Sequence, residues 1–250
     1  MAVFAIAIQR GGTAKTTTAL ALTQAAAAEG RRVLAIDLDP QGNFSFSMAA
    51  DMNRRSSFDL LMGKTIAATD IQRTPCGAYM IPASWNLSTV TTARGSANRL
   101  RRALEPLHSR FDLIIIDTPP TAGELQYNAL QAATGLIIPL QADIFGLHGL
   151  YQIADTAAQF QNSNPDLSIT GIVITKHNAR STVSKQMQQN IIDAAAGMNI
   201  PYLGAIREGV AIREAQTMQQ SLFEYAPKSK PAADYMNLYH TITGGVDNGK

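Results

Sequence analysis

The chain has 250 residues, 46% of them hydrophobic, a formal net charge of +2 and a single cysteine. This length and apolar content can build one large core, and the near-neutral charge permits a polyanionic partner without demanding one. One cysteine excludes an internal disulfide and a cysteine-held cluster, which points to a reducing, cytoplasmic setting, and no apolar run approaches the ~20 residues of a membrane-spanning helix.

Residues 2–8 (AVFAIAI) are wholly apolar, lack a basic leader and run into a glycine loop, which predicts a strand buried on both faces rather than a secretory leader. Residues 16–29, rich in alanine and leucine, predict a helix stopped at Gly30. Further apolar strands are predicted at 32–37, 113–117, 135–140, 169–175 and 200–206. Helical patterns cover 96–109, 122–133, 147–161, 182–197 and 232–243. Residues 41–92 carry only short, ambiguous elements, with Cys76 in a turn-like Thr-Pro-Cys-Gly setting that reads as structural. Strands alternating with helices predict a doubly wound, mostly parallel α/β sheet with helices on both faces, in a single domain over 1–250.

The segment QRGGTAKTTT from Gln9 joins the first strand to the first helix. A strand–glycine loop–helix junction turns backbone N–H groups and a helix N-terminus toward an anion, as phosphate binding requires. Lys15 can reach the outer phosphates, and the Thr16 hydroxyl can ligate Mg²⁺. The strict pattern has glycines where this chain has Gln9 and Ala14. Alanine is acceptable at 14 if that position needs no positive φ.

Two more segments point to the same chemistry. VLAIDLDPQGN (33–43) and LIIIDTPP (113–120) are strands ending in carboxylates: Asp37 and Asp39 in one, Asp117 in the other. Ligands of open α/β sheets bind at the carboxyl ends of the strands. Three strands thus deliver a lysine, a threonine and three aspartates to one edge, the residue types an Mg²⁺–triphosphate needs.

With these motifs the chain resembles the ParA family of partition ATPases, in the deviant Walker class that includes MinD. The loop resembles KGGxGKT, and DLDPQGN resembles the second signature. The run FDLIIIDTPPTAGELQYNAL, then LIIPLQADIFGLHGL, resembles the Walker B region and the strand and helix beyond. The resemblance implies a weak ATPase using ATP and Mg²⁺, with Gly11, Gly12, Thr13, Ala14, Lys15, Thr16 and Thr17 around the phosphates. It implies that Lys15 neutralises the β- and γ-phosphates, Thr16 binds Mg²⁺ directly, Asp117 acts on it through water and Asp37 supports its shell. Asp39 would orient or activate the attacking water. Arg10 stands where the family's signature lysine reaches across an ATP-sandwiched dimer; arginine keeps the charge but is bulkier. The adenine neighbourhood is implied near Thr175, Asn178 and Arg207.

The same resemblance implies an ATP-dependent homodimer that binds DNA without sequence preference, a ParB-like stimulating partner and a place on the nucleoid. The family's DNA surface maps to AIREGVAIREA and PKSKPAADY, so Arg207, Arg213, Lys228 and Lys230 are the candidate contacts. A second basic cluster, Arg94, Arg99, Arg101, Arg102 and Arg110 with Glu105 among them, reads as the solvated face of a helix. Rival functions are a membrane-positioning ATPase, an iron–sulfur electron-transfer ATPase, an ATPase positioning a non-DNA cargo, and a metabolic kinase or ligase. The polar tail TITGGVDNGK argues against the first and the lone cysteine against the second.

Overall fold

A computed structural model describes residues 1–90, 96–178 and 182–244. Strands β1 (Ala2–Ile6), β2 (Val33–Asp37), β3 (Gln72–Arg73), β4 (Tyr79–Ile81), β5 (Leu113–Asp117), β6 (Gly135–Leu140), β7 (Ser168–His177) and β8 (Tyr202–Arg207) form a single sheet in the order β3-β4-β2-β5-β1-β6-β7-β8. Every pairing is parallel except the β3–β4 edge. The helices are α1 (Lys15–Ala28), α2 (Asn43–Ser47), α3 (Ser57–Leu61), α4 (Arg99–Leu104), α5 (Glu124–Ala132), α6 (Ile144–Gln161), α7 (Thr182–Gly197), α8 (Val210–Thr217), α9 (Leu222–Tyr225) and α10 (Lys230–Thr243).

Strand periodicity explains the two layers. Val3, Ala5, Leu34, Ile36, Ile114 and Ile116 point to one face, beneath α3 to α7. Phe4, Ile6, Val33, Ala35, Leu113 and Ile115 point to the other, beneath α1, α8, α9 and α10. Both faces are covered, so the central strands read as unbroken apolar runs. Alanines let α1 lie close against the sheet, and Gly30 at φ +74 ends it, its N–H bonding the Ala27 carbonyl.

The doubly wound fold agrees with the sequence reading. Two differences have local causes. The helix expected over 96–109 is broken into a 3₁₀ turn at Ser96–Asn98, α4, and a second 3₁₀ turn at Glu105–Leu107, because Pro106 cannot continue an α-helix. The β3–β4 hairpin and helices α8 and α9 are additions to the sequence pattern, since elements this short carry too few residues to show a period. Arg94 and the tail from residue 245 lie outside the described residues.

Candidate functional site

The carboxyl ends of β2, β5 and β1 lie side by side. Asp37 pairs in register with Asp117, and Asp117 with Ile6, so the loop leaving β1 arrives beside two carboxylates. Gln9 anchors the start of that loop, its amide nitrogen donating to Thr156 Oγ1 (2.9 Å) and Gln126 Oε1 (3.4 Å). This is a tethering role that glycine cannot perform.

Ala14 departs from expectation. It sits at φ +66, ψ +32, the left-handed region, so the loop demands here the conformation that glycine adopts freely. Ala14→Gly is expected to stabilise the nucleotide-free chain by about 0.5–1 kcal/mol, read as a rise in denaturant midpoint. An unchanged or lower midpoint would mean that the loop is not strained.

Helix α1 begins at Lys15 with no side-chain cap and no acidic residue in its first turn. Its leading N–H groups and positive dipole end are therefore left to an anion. Lys15 is only 6% exposed and donates from Nζ to the Arg10 carbonyl at 2.6 Å. Burial pulls its pKa down, opposed by the charges of Asp117 and Asp39. Thr16 Oγ1 donates to Asp117 Oδ2 at 2.7 Å, while Asp117 Oδ1 is buried and has no partner. A hydroxyl oxygen beside an unsatisfied carboxylate oxygen suits Mg²⁺, which takes few protein ligands and keeps its waters. Burial, then the neighbouring charge of Asp37, pushes the Asp117 pKa well up, a penalty that a cation would relieve.

Asp37, expected to support the Mg²⁺ shell, engages both of its oxygens within the chain. Its Oδ1 accepts from the Asp39 N–H (3.0 Å), and its Oδ2 from the Ser45 N–H (2.9 Å) and Oγ (2.7 Å). With both oxygens engaged, Asp37 holds the turn that carries Asp39 and the start of α2, which makes it a positioning residue. Asp39 lines the cavity above Lys15, its Oδ1 accepting from the Gln41 N–H at 3.0 Å. Burial raises Asp37 from 3.8 to about 6. A raised carboxyl pKa favours folding while the group is protonated and loses that advantage as it ionises. The nucleotide-free, Mg²⁺-free chain should therefore lose stability as pH rises from about 4 through about 6. Asp117→Asn removes a second buried carboxyl whose pKa is raised, and should flatten this trend in thermal melts; an equally steep trend in the variant would remove Asp117 as a contributor to it.

Arg10 is held within its own chain. Its Nη1 and Nη2 meet Asp143 Oδ1 and Oδ2 at 2.6 and 2.9 Å, and its guanidinium lies 5.3 Å from the Phe145 ring centroid. Asp143 also caps α6 by accepting from the Gly146 N–H at 2.7 Å. The Arg10 fork holds the Asp143 carboxyl below its ordinary pKa. Asp143 is a site residue that sequence reasoning misses; its only local signal is its place as a capping residue before α6.

A cavity of about 510 Å³ runs from the loop residues Gly11–Thr17 and Asp39 to Thr175, Lys176, Arg207, Arg213 and Gln216. That volume suits a nucleotide. Thr175 Oγ1 ties the two ends together through the Thr13 carbonyl at 3.0 Å. Asn178 is exposed and lies outside the lining, where Lys176 stands instead. Arg207 lines the cavity, but Asp234 accepts from its Nε at 2.9 Å and from the other arm of its fork, so its charge is already paired. Arg213, expected on a DNA surface, also lines the cavity and stands 3.9 Å from Glu208. Of the four expected DNA contacts, only Lys228 and Lys230 are exposed and away from the cavity. Gln216, another member that sequence reasoning misses, donates to Thr17 Oγ1 at 3.4 Å from α8.

A protein-family profile described as an AAA domain matches residues 1–169. The chromosome partitioning protein ParA of Caulobacter vibrioides is 36% identical over 251 residues, covering 96% of this chain and 93% of that protein. The chain belongs to the ParA family. A Mycobacterium smegmatis structure named cobyrinic acid a,c-diamide synthase, with bound ATP analog and magnesium, is similar at a TM-score of 0.79 and 32% identity, covering 98% of this chain and 97% of that one. An ATP complex of a Cyanothece McdA variant has the same fold, with a TM-score of 0.86 at 23% identity, covering 98% and 97% of the two chains. Against the KGGxGKT loop pattern this chain carries Arg10 and Ala14.

Proposed function

We propose that this ParA-family chain is a weak ATPase that pairs into a dimer around ATP and binds DNA without sequence preference. Hydrolysis, stimulated by a ParB-like partner, then releases it, and the cycle partitions or positions a replicon in the cytoplasm, on the nucleoid. Its nucleotide is ATP and its metal Mg²⁺. The observation that carries the reading is the convergence of an uncapped helix N-terminus, Lys15 and Thr16 on one cavity, with Thr16 bonded to a buried Asp117 whose other oxygen has no partner among the described residues.

The residues divide the work. The Gly11–Thr17 backbone N–H groups cradle the phosphates. Lys15 exchanges the Arg10 carbonyl for the outer phosphate oxygens. Thr16 and Asp117 would hold Mg²⁺, and the ion would supply neutralisation of charge on the transferring phosphoryl group. Asp39 orients the attacking water, and Asp37 fixes the turn on which Asp39 sits. Arg10 must leave Asp143 before it can reach a partner's phosphates. Among the described residues no helix is long and apolar enough to cross a membrane.

Size-exclusion chromatography with light scattering tests this reading. A dimer mass is expected with ATP and Mg²⁺ and a monomer with ADP. DNA should be retained only with ATP, and the retention should fall steeply between roughly 50 and 200 mM salt. A monomer in ATP would sink the dimer. A dimer that ignores DNA at low salt points to the alternative, a ParA-like ATPase positioning a protein complex or organelle. Turnover that depends on a small carboxylate acceptor would instead follow the activity named for the mycobacterial protein.

A further inference from the structure

A second cleft, of about 350 Å³, shares no lining residue with the nucleotide cavity. It lies between the loop after α3 and the surface of α4 with its following 3₁₀ turn. Its floor is apolar: Leu60 and Leu107 are 1% and 4% exposed, and Ile66 and Pro106 flank them. Its rim is basic, formed by Lys64, Arg99 and Arg102.

The cations on that rim are unevenly satisfied. Lys64 Nζ reaches Asp59 Oδ1 at 2.8 Å, and Asp59 is further engaged by Ser56. Arg99 is half-buried, and neither it nor Arg102 makes a hydrogen bond or ion pair among the described residues. Arg101, between them in sequence, turns away to Asn164 (3.3 Å) and Asp166 (3.6 Å). Glu105 is exposed and in no ion pair among the described residues. Helix α4 thus presents two uncompensated guanidinium groups over an apolar floor. Guanidinium forks match carboxylates, and partly desolvated ones gain most from a charged acceptor.

We propose that this cleft docks a short acidic segment of a partner protein, with a bulky apolar side chain on the floor and flanking carboxylates on Arg99 and Arg102. Arginine clusters recognise acidic motifs in this way, and the apolar floor adds the burial that fixes register. Duplex DNA fits the cleft less well. Its phosphates meet open basic surfaces, and its apolar groups, stacked bases and thymine methyls, lie within the duplex or its grooves, away from the phosphates that Arg99 and Arg102 would hold.

The test is to pan a random-peptide library against the full chain, counter-selecting with the Arg99→Glu, Arg102→Glu variant. Enriched peptides should carry aspartate or glutamate beside leucine, isoleucine or phenylalanine. A labelled consensus peptide should bind at least tenfold more weakly to Arg99→Ala, Arg102→Ala, a milder change that guards against misfolding, with nucleotide binding intact as the folding control. No enrichment over the variant, or enrichment of basic peptides, overturns the proposal. So does duplex DNA binding that falls with these substitutions while no acidic peptide is selected. Because the readout needs neither ATP turnover nor dimerisation, it stands or falls separately from the ATPase reading.

Discussion

Asp39→Ala is expected to lower ATP hydrolysis by at least about a hundredfold while leaving ATP bound, so that a dimer accumulates. The structure separates the two effects. Binding rests on Lys15, Thr16 and the α1 N-terminus, none of which hydrogen-bonds to the Asp39 side chain. Asp39 lines the same cavity from a turn that its neighbour Asp37 holds through the backbone. Removing the Asp39 carboxylate should therefore remove the group that orients water, together with its bond to the Gln41 N–H, and leave the phosphate contacts in place. Phosphate release and light scattering, measured together with ATP, check both halves. A variant that hydrolyses ATP normally would refute the role given to Asp39, and one that no longer binds ATP would place this carboxylate in binding instead.

Arg10→Ala is expected to abolish ATP-driven dimerisation and to lower hydrolysis by on the order of 10³, the scale of an arginine supplied to a transferring phosphoryl group. In the single chain Arg10 is neutralised by Asp143, so the proposed action in trans requires the loss of that pair. Asp143→Asn separates the two states, because asparagine still caps α6 but offers no carboxylate. The pair is partly exposed, at 25% and 36% of the two side chains, and solvent screening limits it to about 1 kcal/mol. Released from it, Arg10 should support dimerisation at about fivefold lower ATP. Titration of dimer mass against ATP reads this directly. Wild-type behaviour in Arg10→Ala would end the idea that this arginine crosses the dimer, and an unshifted titration in Asp143→Asn would end the idea of a latch.

The proposed ATP cycle would also account for the charge at the sheet edge. Burial makes the ionised forms of Asp37 and Asp117 unfavourable in the absence of a cation, and the neighbouring charge of Asp37 adds to the penalty on Asp117. A site that is uncomfortable when empty gains more from the metal, and differential affinity between states is all that can drive a switch.

The sequence by itself determined the alternation of strand and helix, the loop with Lys15 and Thr16, and Asp117 at a strand end. These are local: apolar runs of a few residues, a glycine pair and a carboxylate closing a strand carry their period and chemistry within a short window. Tertiary structure decided what the chain cannot state locally. Ala14 takes a left-handed conformation because the ends of β1 and α1 require that turn, although alanine does not announce it. Asp37 engages both oxygens with its own turn and with Ser45, which fixes the turn that carries Asp39. Arg10 meets Asp143 across 133 residues, Arg207 is taken by Asp234, and Arg213 turns into the nucleotide cavity. A single sequence shows which charges exist, but only the packing of distant elements decides which of them are already paired.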